Sequence, residues 1–263
     1  AIEPNSERHI KALEEVNLTP VPGQYSILND NGEQIDITAM SDEQGVLYWY
    51  RRIKTPVCLT GECMLVDVGL YWDCTGDFFG LDVYGEHLTK TDHSIFSDAD
   101  YQNLLDILSN DWSILREYDF TELTNENTET EGEGERVDAT SGATRKEIAS
   151  EAVQDAVYTT YTLWHLVHMG EKEQLMGLSA DAINRLPLID RVLESGSRKY
   201  IYFLLELFTQ SKIDHADKLT PFIIEGLKSG GDLHLQNLCL KSLTRLDINT
   251  LETRKRIADI YSA

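Results

Sequence analysis

Apolar and polar positions alternate through the first third of the chain. Residues 25–28 (Tyr-Ser-Ile-Leu) and 34–38 (Gln-Ile-Asp-Ile-Thr) alternate on either side of Asp30-Asn31-Gly32, and Asn-Gly between alternating runs marks a β-hairpin. The β-branched and aromatic run at 46–50 reads as a further strand. A second hairpin is expected from 64–73 and 78–84, which flank Cys74-Thr75-Gly76-Asp77. Ahead of these strands, Asn5 or Ser6 caps a short helix expected to run to Val16, with Pro20 and Pro22 ending it.

The period then changes. Residues 98–115 place Tyr101, Leu104, Leu105, Leu108 and Ile114 on one helical face, and Trp112 continues the helix. Residues 121–136 are Thr, Glu, Asn and Gly with almost no apolar position, the composition of a solvated acidic loop. From about 145 to 168 a stripe of Ile148, Ala152, Val153, Ala156, Val157, Thr160, Trp164 and Val167 predicts a long amphipathic helix. Helical segments follow at 179–185, 187–194, 197–210, 216–228, 233–246 and 251–262, with Gly196 and Gly230-Gly231 as stops. These short helices resemble HEAT-type helical hairpins, without a repeat consensus.

Charge sharpens the division. The 263 residues carry a net charge of -22, all of it in residues 1–169, where 32 acidic residues face 10 basic ones; residues 170–263 hold 13 of each. The expected architecture is therefore an α+β domain over 1–169, containing the 121–136 loop, followed by an all-α domain over 170–263. Such acidity excludes a nucleic-acid binder or a ligand of anionic membranes and favours basic partner surfaces. No apolar run is long enough to span a bilayer. The chain opens at Ala1 without Met, as either a mature secreted protein with its signal peptide removed or a trimmed chain would.

The most chemically specific stretch is Asp138-Ala139-Thr140-Ser141-Gly142-Ala143-Thr144, where strands give way to helices. Gly142 allows a sharp turn, and Thr144 with Glu147 forms a T-x-x-E capping box. A glycine turn feeding a helix N-terminus suits a phosphate, although the same residues also describe a well-capped helix start. The heptad resembles the D-x-x-[S/T]-G-A-T signature of FMN-binding domains, found in the C subunit of sodium-pumping NADH:quinone reductase and the G subunit of Rnf complexes. The likeness extends to the hairpin at 64–84, the polar segment 87–93 and the pairs Ala152-Val153 and Ala156-Val157.

Several expectations follow from that resemblance. It implies an FMN-binding-like fold and FMN esterified through its phosphate to Thr144. Asp138, Ser141, Gly142 and Ala143 would be the motif read by a separate flavin transferase. It also implies an extracytoplasmic electron carrier, periplasmic or at the cell surface, that serves redox partner proteins and associates peripherally with a membrane redox complex. Such a carrier is an electron-transfer component rather than a stand-alone enzyme, with no catalytic residue of its own.

Other residues carry weaker chemistry. Aromatic clusters at 48–50 and 71–72 fit a sheet core first and a flavin wall second. Cys58, Cys63 and Cys74 are close enough in sequence for a disulfide between two of them or for free thiols, and Cys239 sits on an apolar helical stripe. His165 and His168 are spaced for a metal but lack a third ligand nearby, which favours packing. His87 and His93 fall in the polar segment. Two readings compete with the flavoprotein. One is a non-catalytic interaction protein with a degenerate flavin domain, a reading that Lys146 favours. The other is a thiol redox protein using Cys58 and Cys63, although their spacing is not C-x-x-C.

Overall fold

The computed structural model describes residues 6–10, 16–29, 32–59, 62–123, 148, 150–168, 171–185, 188–228, 231–246, 254–255 and 258. Its foundation is a curled antiparallel sheet of strands β1 (Ser6–Ile10), β2 (Thr19–Pro20), β3 (Tyr25–Leu28), β4 (Gln34–Ser41), β5 (Leu47–Leu59), β6 (Glu62–Asp73) and β7 (Phe78–Tyr84). The spatial order is β1-β7-β6-β5-β4-β2, with β3 also on β4. Both expected hairpins are present. In the first, Gly32 adopts φ +77° and its N–H donates to the Asn29 carbonyl at 2.9 Å. In the second, the Asp73 carboxylate accepts from the Thr75 N–H (2.8 Å) and hydroxyl (2.6 Å), and Gly76 takes φ +80°.

The N-terminal segment departs from expectation. Residues 6–10 form an edge strand on β7, pairing Ser6 with Tyr84 and Arg8 with Asp82, and not a helix. The free edge of β7 supplies hydrogen bonds that outweigh the weak local helix signal, and Arg8 gains a buried carboxylate only in that register.

Alternation along the strands sorts residues onto two faces. Trp49, Ile53, Val57, Val66, Val68, Leu70, Trp72, Leu81 and Val83 form the inner face and are buried in the main core. Tyr48, Tyr50, Tyr71, Asp82 and Tyr84 lie on the outer face, where Leu18, Met40 and Val46 make a small second cluster with Tyr48 and Tyr71. The aromatic clusters at 48–50 and 71–72 are thus chiefly sheet core.

Helix α1 (Asp98–Leu108) starts at a reciprocal cap: Ser97 Oγ accepts the Asp100 N–H at 3.3 Å, and Asp100 Oδ2 accepts the Ser97 N–H at 2.9 Å. It stops earlier than its apolar period suggests. Ser109 bonds back to the Leu105 carbonyl at 2.6 Å, the chain turns, and a 3-10 turn follows at Ile114–Glu117. Trp112 is exposed between the two.

Helix α2 (Val157–His168) begins well after residue 145. The stripe from Ile148 to Val167 is nevertheless buried throughout, its first half by turns and not by helix. Tertiary bonds compete here: Asp155 takes φ +59°, its carbonyl accepts from Thr91, and the Val153 N–H is taken by Thr160 Oγ1 at 3.2 Å.

Helices α3 (Glu171–Arg185), α4 (Leu188–Glu194), α5 (Arg198–Thr209), α6 (Ala216–Lys228) and α7 (Leu233–Leu243) complete the described elements. The helix expected at 179–185 starts earlier, at Glu171, and that extension reaches the sheet. Trp49 Nε1 donates to Ser179 Oγ at 2.8 Å, Gln174 exchanges two hydrogen bonds with the Leu28 backbone, and Arg51 pairs with Glu171. One apolar core runs from the sheet through α2 and α3 to Phe208 and Leu219. Cys239 lies in that core as expected, 2.5 Å from where a Cβ on Gly226 would sit, so Gly226 lets α6 and α7 approach closely. Among the described residues no helix is long and apolar enough to cross a membrane.

Candidate functional site

Asp138, Ser141, Gly142, Ala143 and Thr144 lie outside the described residues, as do the Glu147 half of the capping box and most of the 121–136 loop. The described chain on either side is firmly anchored. Leu123 before the segment and Ile148 after it are each fully buried in the main core. Just downstream, the Thr91 N–H and hydroxyl both donate to the Asp155 carbonyl, at 2.7 and 2.8 Å. The polar segment after the second hairpin therefore meets the chain that follows the heptad, two regions far apart in sequence. That segment is itself ordered by bonds between Lys90 and Ser94, by an ion pair from Lys90 to Asp100 at 2.9 Å, and by the Tyr101 hydroxyl, which accepts the Leu88 N–H at 3.2 Å.

A second constellation, invisible in the sequence, surrounds the turn between β6 and β7. Lys199 on α5 bridges Asp73 and Asp77, and Lys172 on α3 bridges Asp77 (2.6 Å) and Asp111 (2.5 Å). Gly76 packs so tightly that a Cβ there would lie 2.9 Å from the Lys172 carbonyl. Burial opposes charge on Asp77, but the hydrogen bonds from both lysines prevail and hold its carboxyl below the ordinary range. Burial likewise opposes charge on Lys172 and Lys199, and their aspartate partners overcome it and raise both ammonium groups. Neither amine is thus poised as a nucleophile or base near neutral pH. Beside them opens a cleft of 440 Å³ with Met176, Phe203, Tyr202, Glu206 and His234 among its lining. The volume is in the range of small-ligand sites. The ion pairs at its edge clamp the sheet to the helices.

A third network covers the outer face. Arg8 donates to Asp82 through Nε (2.8 Å) and Nη2 (3.2 Å), and to the Tyr71 hydroxyl at 2.9 Å. The Tyr71 and Tyr84 hydroxyls donate to Asp82 at 2.6 and 3.3 Å, and the Tyr50 and Tyr84 hydroxyls are 2.8 Å apart. Gly69 makes room for it, because a Cβ there would stand 2.4 Å from the Tyr50 ring. Burial pushes the Tyr71 and Tyr84 phenols up, so both stay protonated and continue to donate. The set is hidden in the sequence because Arg8 lies in a stretch with a local helix signal; the alternation Tyr71, Asp82, Tyr84 on adjacent strands is the signal that survives in the chain.

The histidines pack. His168 Nε2 lies 2.9 Å from the Leu108 carbonyl and His165 Nδ1 3.0 Å from the Tyr161 carbonyl. His87 Nδ1 lies 3.2 Å from a Glu7 carboxylate oxygen on β1. Among the described residues no group of His, Cys, Asp or Glu is arranged to hold a metal. Cys74 and Cys239 are buried free thiols; burial raises both, Cys239 to about 11. Comparison with protein-family models, with curated proteins and with solved structures found no match in any of the three.

Proposed function

We propose that this chain is an extracytoplasmic flavoprotein electron carrier with FMN attached through its phosphate to Thr144. In this reading Asp138, Ser141, Gly142 and Ala143 form the motif that a flavin transferase recognises. The isoalloxazine ring supplies one-electron chemistry, and the protein fixes its place and potential. The reading rests on the heptad. Its main structural support is the meeting of Thr91 with Asp155, which joins the polar segment to the chain just beyond the acceptor. The hairpin, that segment and the post-heptad stripe, the three features that accompany the heptad in the resemblance, belong to one packed unit. Helices α3 to α7 are then a HEAT-like partner surface for redox proteins or for peripheral attachment to a membrane complex.

Intact mass after periplasmic co-expression with a flavin transferase tests it. The expected gain is one FMN less one water in the parent and none in T144A. No gain in the parent, with the transferase active on a known acceptor, sinks the proposal.

One observation favours the second reading, a non-catalytic interaction protein. Trp49, Tyr71 and Trp72 are buried in the sheet and offer no wall to a flavin, while Leu233 and Leu240 on α7 are exposed. An unmodified parent protein would make that the leading view.

A further inference from the structure

The four cysteines of the chain occupy fixed places in the topology, and those places leave a single possible pairing. Cys74 sits in the turn after β6 and is a buried free thiol. Ten strand residues lie between it and Cys63, a span of roughly 35 Å at a rise of about 3.3 Å per residue, far beyond disulfide reach. Cys239 is a second buried free thiol, in α7 against Gly226. Cys58 and Cys63 remain. The β5–β6 register sets them directly opposite one another, the second pair from the hairpin end, with Leu59 opposite Glu62 beyond them.

The class of that position matters. Only Thr60 and Gly61 connect Leu59 to Glu62. A two-residue connection puts the turn's hydrogen bond at the pair that flanks it, so the next pair out is of the non-hydrogen-bonded kind. Such pairs have Cα atoms about 4.5 Å apart and share one face of the sheet, within the disulfide range of about 4.4–6.8 Å. The sequence spacing left a bond and free thiols equally open; the register selects the partners and supplies the geometry.

We propose that Cys58 and Cys63 form a cross-strand dithiol–disulfide pair that closes the tip of the β5–β6 hairpin. Formation by exchange with a small disulfide such as glutathione disulfide balances in two steps. The Cys58 thiolate attacks one glutathione sulfur, forming a mixed disulfide and releasing one glutathione thiolate. The Cys63 thiolate then attacks the Cys58 sulfur and expels the second. Two cysteine protons pass to solvent or to the departing thiolates, and two electrons reduce the reagent. The bond pins the register of the longest strand pair, since a slip by one residue would send the two cysteines to opposite faces. The remaining rungs of that pair are already formed, so reduction opens the clip without dismantling the sheet.

The proposal does not depend on flavin attachment, and T144A should leave it unchanged. The test uses the full chain equilibrated with excess glutathione disulfide, denatured, and alkylated with and without reductant. Two alkylated thiols without reductant, mapped to Cys74 and Cys239, and four after reduction are expected. C58S should retain glutathione on Cys63 under the same treatment, because no resolving thiol stands opposite, and C63S should mirror it. Four alkylatable thiols in the treated parent, a linked peptide containing Cys74 or Cys239, or stable glutathione adducts on the parent pair would each overturn it.

Discussion

The two faces of the sheet bury their side chains by different means. On the inner face Trp49, Trp72, Val68 and Leu70 vanish into an apolar core, and their stabilisation scales with the area removed from water. On the outer face Tyr71, Asp82 and Tyr84 are just as hidden, but a carboxylate sits among them and its acceptor sites are taken by Arg8 and the tyrosine hydroxyls. The same strands hold both. An apolar face degrades gradually as volume is lost, whereas a hydrogen-bonded face fails when one member is removed and its partners are stranded.

Mutations can test that contrast. The largest effect is expected for W49A, which empties inner-face volume and strands the Ser179 hydroxyl; a loss of about 4 kcal/mol should appear in urea unfolding. D82A removes few atoms yet should cost about 3 kcal/mol, since it leaves Arg8 and two phenols without their acceptor. Replacing the set together, as R8M/Y71F/D82L, should cost less than D82A alone. If the triple variant is the worse of the two, the outer face behaves as ordinary packing and the contrast collapses.

Acid should give the smallest effect. Burial pushes His9, His165 and His168 below the ordinary imidazole range, against the pull of Glu7 on His9 and of Asp111 on His168. A group whose folded pKa is depressed contributes fully above its unfolded value and loses that contribution as pH falls through the folded one. Stability should therefore drop from about pH 6.5 downward. Asp67 and Asp77, held low by Arg52 and by the two lysines, keep their contribution until more acid conditions. Urea midpoints at several pH values would show it, and H168Q should flatten the upper part of the slope.

What could be read from the sequence follows from how local each cause is. The Asn31-Gly32 hairpin and the Cys74–Asp77 turn each rest on residues within a few positions, and both were legible. The burial of Ile148, Ala152, Val153 and Ala156 was legible too, because an apolar stripe reports which residues are inside and not what backbone puts them there. The start of α2 was not: Asp155 is held by Thr91, a residue far upstream. Edge strand β1 was lost for the same reason, since its cause lies in β7. The lysine clamp depends on partners 126 positions apart, Asp73 and Lys199, which a single sequence does not connect. The heptad itself is legible only as a motif, its residues lying outside those described.

The continuity of the core has an electrical consequence. The sheet-bearing half of the chain carries the whole net charge of -22, and the helical half carries none. Packed on one core, the two halves turn as one body, so the imbalance becomes a molecular dipole. Near a cationic surface such a body feels a torque before it feels contact, and it arrives acidic side first. Collisions would then be oriented by a long-range field that fades with added salt.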